Sequence, residues 1–336
     1  MAKNKKITTG ELALIARVQS RVASLSGSHL RLGIGDDCAI LRPPAGQELL
    51  VTTDFSLEGR HFRRAWHTPQ SVGHRVLARG LSDIAAMGGH PLAAFLSLAL
   101  PKAVANDARW MDGFLEGLLA LAAEVNVPLA GGDTAEAPGD DVLADIVLVG
   151  SAPTGRALTR SSAQPSDAIY CTGALGGAAA ELAALGKSPA RFRHSKASGD
   201  HPHLFPQPRL AVGAALLRRK LAAACIDVSD GLSTDLSHLC EASGAAAELD
   251  AALLPAHPLT AKLGPAKQMA AVLHGGEDYE LLFTAHPMVK MPRAVCGVPI
   301  TRIGRIVPFR KSRPRMTIVA EGTRFELQPH GWEHLI

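Results

Sequence analysis

Gly33-Ile34-Gly35-Asp36-Asp37-Cys38-Ala39-Ile40-Leu41, followed after a Pro/Gly turn by Leu49-Leu50-Val51-Thr52-Thr53-Asp54 and then by Glu58-Gly59-Arg60-His61-Phe62, decides how this chain is read. The two apolar runs predict strands, each with carboxylates beside glycine, threonine or serine at one end. Glycine lets a backbone approach a ligand closely, and oxygen donors grouped at a strand end suit a hard cation, magnesium first. For any single aspartate a turn or a helix cap is the better explanation. Repetition further along the chain tips the balance.

The same grouping recurs at Ser82-Asp83, Gly132-Asp133-Thr134, Asp227-Val228-Ser229-Asp230-Gly231 and Glu277-Asp278. Acids gathered in one cleft repel one another unless cations neutralise them, and several divalent ions with a polyphosphate supply that neutralisation. The usual nucleotide signatures are missing. Gly186-Lys187-Ser188 has Glu181 where a P-loop has its first glycine, and Gly33-x-Gly35 has Cys38 where a dinucleotide fingerprint has its third. If the protein uses ATP, metal-bridged acids hold it.

At 336 residues the chain predicts two domains, placed at 1–150 and 151–336 with a linker at Ser151 to Arg156. A composition of 47% hydrophobic and 20% charged residues fits a soluble globular protein. A net charge of +4, without a basic stripe interleaved with aromatics, argues against nucleic acid. No apolar run is long enough for a membrane helix, the N-terminus lacks a signal-peptide core, and Lys3-Asn4-Lys5-Lys6 reads as a solvated tail. The five cysteines are widely spaced and read as buried thiols of a cytoplasmic protein.

Helical periodicity predicts helices over Thr9 to Ser24, from Thr68-Pro69 to Met87, over Asn106 to Glu124 and over Leu210 to Lys220, with further helices after Gly177 and from Leu232. Strands are predicted at Leu92–Leu100, Val127–Ala130, Val142–Gly150, Ala168–Cys171, before Asp227, and at Ala245–Leu249, Tyr279–Thr284, Thr301–Val307 and Met316–Ala320. The alternation makes the class α/β. Ser188 to Arg209 reads as a surface loop. His61 is by composition more often structural than functional, and Trp332 fits stacking on a cationic ligand and packing of the tail about equally.

In this order the motifs resemble those of the thiamine-monophosphate kinase family, of the superfamily that includes aminoimidazole ribonucleotide synthetase, selenophosphate synthetase and a hydrogenase maturation factor. The resemblance runs from about Glu11 to the C-terminus through Gly35-Asp36-Asp37, Thr53-Asp54, Leu81-Ser82-Asp83-Ile84-Ala85-Ala86-Met87-Gly88, Gly131-Gly132-Asp133-Thr134, Arg156-Ala157-Leu158-Thr159-Arg160, Asp227-Val228-Ser229-Asp230-Gly231 and Gly275-Gly276-Glu277-Asp278-Tyr279-Glu280. It implies ATP-dependent phosphorylation of thiamine monophosphate with several magnesium ions. It also implies a two-domain aminoimidazole ribonucleotide synthetase-like fold whose N-terminal sheet forms a barrel across a homodimer.

By the same resemblance Asp37, Thr52, Thr53, Asp54, Asp83, Asp133, Asp227 and Asp230 hold metals, and Gly132, Asp133, Arg160 and Ser229 meet ATP. His61, Glu277 and Trp332 meet the thiamine substrate, and Asp54, Asp133, Arg160 and Asp230 carry the transfer. Phe55-Ser56, Arg60 and Ala135 depart from the expected pattern beside these ligands. The alternatives are another ATP-dependent synthetase of the superfamily and a non-catalytic metal- and nucleotide-binding protein. A first-segment cysteine, expected of selenophosphate synthetase, is absent, as is the C-terminal cysteine of the hydrogenase factor.

Overall fold

The structure, a computed structural model, describes residues 11–22 and 28–331; the tail at Lys3 to Lys6 and Trp332 lie outside them. The chain divides into two compact units. The first comprises the residues up to Gly80 with Pro91–Ser151 and Pro189–His194, and the second comprises Leu81–His90, Ala152–Ser188 and the residues from Ser195 onward.

In the first unit the elements run α1 (Glu11–Val22), β1 (Leu30–Leu32), β2 (Ile40–Leu41), β3 (Gln47–Leu57), α2 (Pro69–Ala86, whose last residues belong to the second unit), β4 (His90–Leu100), α3 (Lys102–Ala105), α4 (Ala108–Glu124), β5 (Leu129–Glu136) and β6 (Leu143–Pro153). Four strands make one sheet in the order β3-β6-β4-β5, open among the described residues, with β3 at an edge. Two helices cross with their backbones in contact. A Cβ on Gly73 of α2 would stand 1.9 Å from the Phe114 carbonyl of α4, and one on Gly117 of α4 would stand 1.9 Å from that of Gln70. No larger residue fits at either place, so these glycines set the helix spacing that buries Val76, Leu77, Phe114 and Leu118.

Caps fix the helix limits. Thr68 Oγ1 accepts from the Ser71 N–H at 3.2 Å and starts α2, as its sequence predicts. At the other end the Gly89 N–H reaches the Ile84 carbonyl and the Gly88 N–H that of Ala85, with Gly88 at φ 70°, which closes the helix as a Schellman turn. Helix α4 begins two residues later than periodicity predicts. Asp107 Oδ1 caps it through the N–H groups of Arg109 and Trp110, and Asn106 instead bonds back to Lys102. The expected linker at Ser151 is strand as far as Pro153, and the turn falls at Thr154-Gly155.

The second unit continues with β7 (Ala168–Thr172), α5 (Gly177–Lys187), α6 (Leu210–Arg218), β8 (Cys225–Val228), α7 (Leu232–Ala242), β9 (Ala246–Asp250), α8 (Pro265–His274), β10 (Glu280–Ala285), β11 (Ala294–Val295), β12 (Val298–Val307), β13 (Met316–Ala320) and β14 (Thr323–Glu326). Its sheet runs β14-β13-β9-β12-β7-β10-β8, with β11 paired to β12. Ile169, Cys171, Ile226, Val228, Leu282 and Ile306 lie in one buried cluster with Leu232, Leu236 and Leu239 of α7.

Two expectations change. Cys38 and Cys296 are exposed, and only Cys171, Cys225 and Cys240 are buried thiols. The segment after Ser188 is not a surface loop throughout, because His203, Leu204 and Phe205 are buried. The cause is Glu181 of α5, itself buried, whose carboxylate accepts from the N–H groups of His203 and Leu204 and pairs with His201 Nδ1 at 2.6 Å.

Candidate functional site

In the first unit a cavity of about 620 Å³ lies among Asp36, Asp37, Gly132, Asp133 and Thr134, with Phe95 and Val18 on its apolar side. Two backbone features bring the acids there. Gly35, at φ 130°, turns the chain so that Asp36 Oδ1 accepts from the Asp37 N–H at 2.8 Å. The Gly-Gly-Asp-Thr stretch lies inside β5 rather than beyond a strand, because the parallel ladder to β4 continues through Leu96↔Gly132 and Ser97↔Asp133. Gly132 has φ 149°, and a Cβ on it would stand 1.8 Å from the Leu96 carbonyl, so the position admits only glycine.

Asp54 and Thr53, on β3, have named partners. Arg79 of α2 donates to Asp54 Oδ1 from Nη2 at 2.6 Å and from Nε at 3.1 Å. Thr53 Oγ1 donates to Asp145 Oδ1 of β6 at 2.7 Å. His61 sits in a turn built by Glu58, which accepts from the Arg64 and Val142 N–H groups and pairs with Arg64 Nε at 2.6 Å. The His61 Nδ1 accepts from the Leu57 N–H at 2.9 Å, which places the hydrogen of a neutral ring on Nε2.

In the second unit β8 delivers Asp227, buried and accepting from Ser82 Oγ at 2.7 Å. It is thus Ser82, beside Asp83, that meets the buried carboxylate. Asp230 stands at the start of α7, where its N–H and that of Gly231 donate to Asp235 Oδ2 at 3.1 and 3.0 Å. Burial pushes the Asp235 carboxyl well above its ordinary value, and the neighbouring charges of Asp227 and Asp230 push the same way. Ser229 accepts the Glu277 N–H on its carbonyl at 2.7 Å. Arg160 is exposed, with its own carbonyl bonded by Ser243 Oγ.

These donors are carboxylate and hydroxyl oxygens. Among the described residues no three His, Cys, Asp or Glu side chains already converge as a metal cage. Such oxygen donors fit magnesium, which is bound through one or two carboxylates together with substrate phosphates and water. They do not fit zinc, which takes three or four nitrogen or sulfur ligands.

The Asp278 carboxylate takes no such place. It is buried between the N–H groups of Gly176 and Ala178 at the start of α5, and burial raises its pKa to about 7 against the opposing effect of those hydrogen bonds. Glu280 is equally internal, held by Arg209 at 2.6 and 2.7 Å and by Thr172 Oγ1. Glu277, of the same Glu-Asp-Tyr-Glu run, lies with its Oε2 3.1 Å from His203 Nδ1.

Residues 35–152 match the family described as AIR synthase related protein, N-terminal domain, which sets the class. Over 333 residues, 97% of this chain and 98% of the other, the sequence is 39% identical to the thiamine-monophosphate kinase of Escherichia coli (strain K12). The thiamine-monophosphate kinase of Stenotrophomonas maltophilia K279a superposes with a TM-score of 0.78 at 34% identity, covering 94% of this chain and 98% of that one. AaThiL complexed with AMPPCP and TMP superposes at 0.74 with 26% identity, covering all of both chains. The chain belongs to the thiamine-monophosphate kinase family, a family of phosphotransferases.

Sequence reasoning did not find Arg79, Asp145, Asp235 or His203. Arg79 and Asp145 sit in ordinary helical and strand patterns, and nothing local marks them as partners of β3. Asp235 stands in the first turn of α7, where an acidic residue signals a cap and nothing more.

Proposed function

We propose that this protein transfers the γ-phosphoryl group of ATP to the phosphate of thiamine monophosphate, giving thiamine diphosphate and ADP by direct in-line transfer. The observation that carries this reading is the 39% identity to a thiamine-monophosphate kinase along 97% of the chain. The AMPPCP and TMP bound by AaThiL supply the matching pair of ligand types.

Asp37, Thr52, Thr53, Asp54 and Asp133 of the first unit, and Asp83, Asp227 and Asp230 of the second, hold magnesium. When bound, the ions neutralise the repulsion between a donor and an acceptor that are both phosphates. Gly132, Asp133, Arg160 and Ser229 bind ATP. Gly132 brings bare backbone to the nucleotide, and the Arg160 guanidinium offers a planar fork of N–H donors to phosphate oxygens.

Asp54, Asp133, Arg160 and Asp230 orient the reacting groups. His61, with its ring hydrogen on Nε2, donates to the acceptor phosphate. Glu277 faces the permanently cationic thiazolium ring, and Trp332, outside the described residues, stacks on the substrate. The acceptor phosphate has a second pKa near 6, so it is largely deprotonated at neutral pH and no strong general base is required.

The protein works as a cytoplasmic homodimer on this reading. Support for the dimer comes from β3, an edge strand whose Leu49, Val51 and Phe55 are exposed on alternate positions, with Val51 at 67% and Phe55 at 62%. The reaction is tested by identifying thiamine diphosphate formed in step with ADP. A labelled phosphoryl group that stays on the protein after a chase with acceptor contradicts direct transfer.

A further inference from the structure

His203 is 1% exposed, and its Nδ1 lies 3.1 Å from Glu277 Oε2. An ionised carboxylate only accepts, so Nδ1 carries the hydrogen and donates. The loop bearing His203 is itself fixed, because the Glu181 carboxylate takes the His203 N–H at 2.8 Å, the Leu204 N–H at 3.2 Å and His201 Nδ1 at 2.6 Å. Glu181 is buried on α5, so the loop hangs from a regular element.

The backbone of Glu277 is held from the other side. Its N–H donates to the Ser229 carbonyl at 2.7 Å, and the Tyr279 N–H donates to that of Val228 at 2.9 Å. Asp278, between them, is locked at the start of α5. Glu277 and Tyr279 both adopt left-handed backbone conformations, at φ 68° and 51°, which non-glycine residues hold only when their surroundings impose it. With the backbone fixed, the freedom left is the rotation of the Glu277 side chain, and the bond from His203 restricts it.

We propose that His203 is a positioning residue that orients the Glu277 carboxylate toward the cationic ring of the substrate; this rests on the reading of Glu277 as the substrate carboxylate. His203 is 1% exposed, so in this role it acts through Glu277 rather than on ATP or the transferred phosphate. Its loss therefore weakens binding of the thiamine substrate and leaves the transfer step alone. It also narrows the preference for a thiazolium over a neutral ring, since a misdirected carboxylate no longer favours positive charge.

The test is steady-state kinetics on the full-length enzyme and its variants, with ATP and thiamine monophosphate varied separately. His203→Leu is expected to raise the KM for thiamine monophosphate about 10-fold, with kcat and the KM for ATP within about 2-fold of the parent, a split that general misfolding does not produce. An analogue with a neutral thiophene in place of the thiazolium should gain relative to the natural acceptor in this variant. In a Glu277→Gln background His203→Leu should add no further loss, because the two groups act as one unit.

Should His203→Leu not fold, His203→Asn and His203→Gln decide. Asn places an N–H where Nδ1 stands and retains function, whereas Gln places it at the Nε2 position and does not. An unchanged KM in His203→Leu, equal behaviour of Asn and Gln, or additive losses with Glu277→Gln overturns the positioning role. A parent enzyme whose ADP release does not respond to thiamine monophosphate overturns the functional reading first, and the positioning role with it.

Discussion

Arg79 holds Asp54 through a single carboxylate oxygen, with Nη2 at 2.6 Å and Nε at 3.1 Å, between the middle of α2 and the strand β3. The pair is largely shielded, at 12% and 23% side-chain exposure. A carboxylate proposed as a metal ligand thus has a fixed cation beside it.

Arg79→Met follows from this. It leaves the Asp54 charge without its guanidinium, and is expected to lower stability by about 1–2 kcal/mol in magnesium-free buffer. Magnesium should restore part of the loss if Asp54 is a ligand. Thermal unfolding with and without the ion checks both, and an equal loss in the two buffers separates Asp54 from the metal.

Asp278 gives stability a pH dependence of predictable sign. Its carboxyl, buried at the start of α5, titrates near 7 in the folded chain, above its unfolded value. The folded state therefore binds the extra proton between about pH 4 and pH 7, and stability falls as pH rises through that window, by at most about 1.4 kcal/mol per unit from this group. Asp278→Asn removes that slope. Urea unfolding at pH 5 and pH 8 in both proteins measures it, and an unchanged difference between the two pH values contradicts the assignment.

Ser56 is 2% exposed, and its Oγ has no hydrogen-bond partner among the described residues. A hydroxyl buried without a partner costs about 1 kcal/mol or more, so Ser56→Ala should raise the unfolding free energy by about 1 kcal/mol without altering turnover. Denaturant unfolding reads the change, and a lower stability shows that the hydroxyl has a partner in solution.

Val51 lies on the exposed apolar row of β3. If that row is covered by a second copy, Val51→Glu shifts the protein from dimer to monomer in sedimentation, because a buried charge without a partner is expensive. A parent protein that sediments as a monomer removes the dimer from the account.

What was legible in the sequence followed from local physics. Thr68 with Pro69, and the Gly88-Gly89 pair, marked both ends of α2 because capping is a short-range effect, and the apolar run after Gly89 marked β4 for the same reason. The limits of β5 were missed because a parallel ladder to β4 carried strand geometry through two glycines that locally signal a turn. The buried stretch at His203 was missed because the residue that buries it, Glu181, lies more than twenty positions away on a helix.

The site divides along the same line. The acids of Gly35-Asp36-Asp37, Gly132-Asp133 and Asp227-Val228-Ser229-Asp230 stand beside glycine or hydroxyl residues, and that composition is visible in any reading. Which acids serve a ligand is not. Asp278 and Glu280 look like Glu277 in the sequence, yet a helix N-terminus and Arg209 occupy them. Partners brought together by the fold tell the three apart, with His203 as the partner of Glu277.

The central claim is the reaction. Its most direct measurement is coupled ADP release with magnesium and ATP, comparing thiamine monophosphate, thiamine and buffer, with Asp54→Asn alongside. The account predicts turnover with the monophosphate alone, largely lost in the variant. Folded protein that binds ATP but releases no more ADP with thiamine monophosphate than with buffer contradicts it.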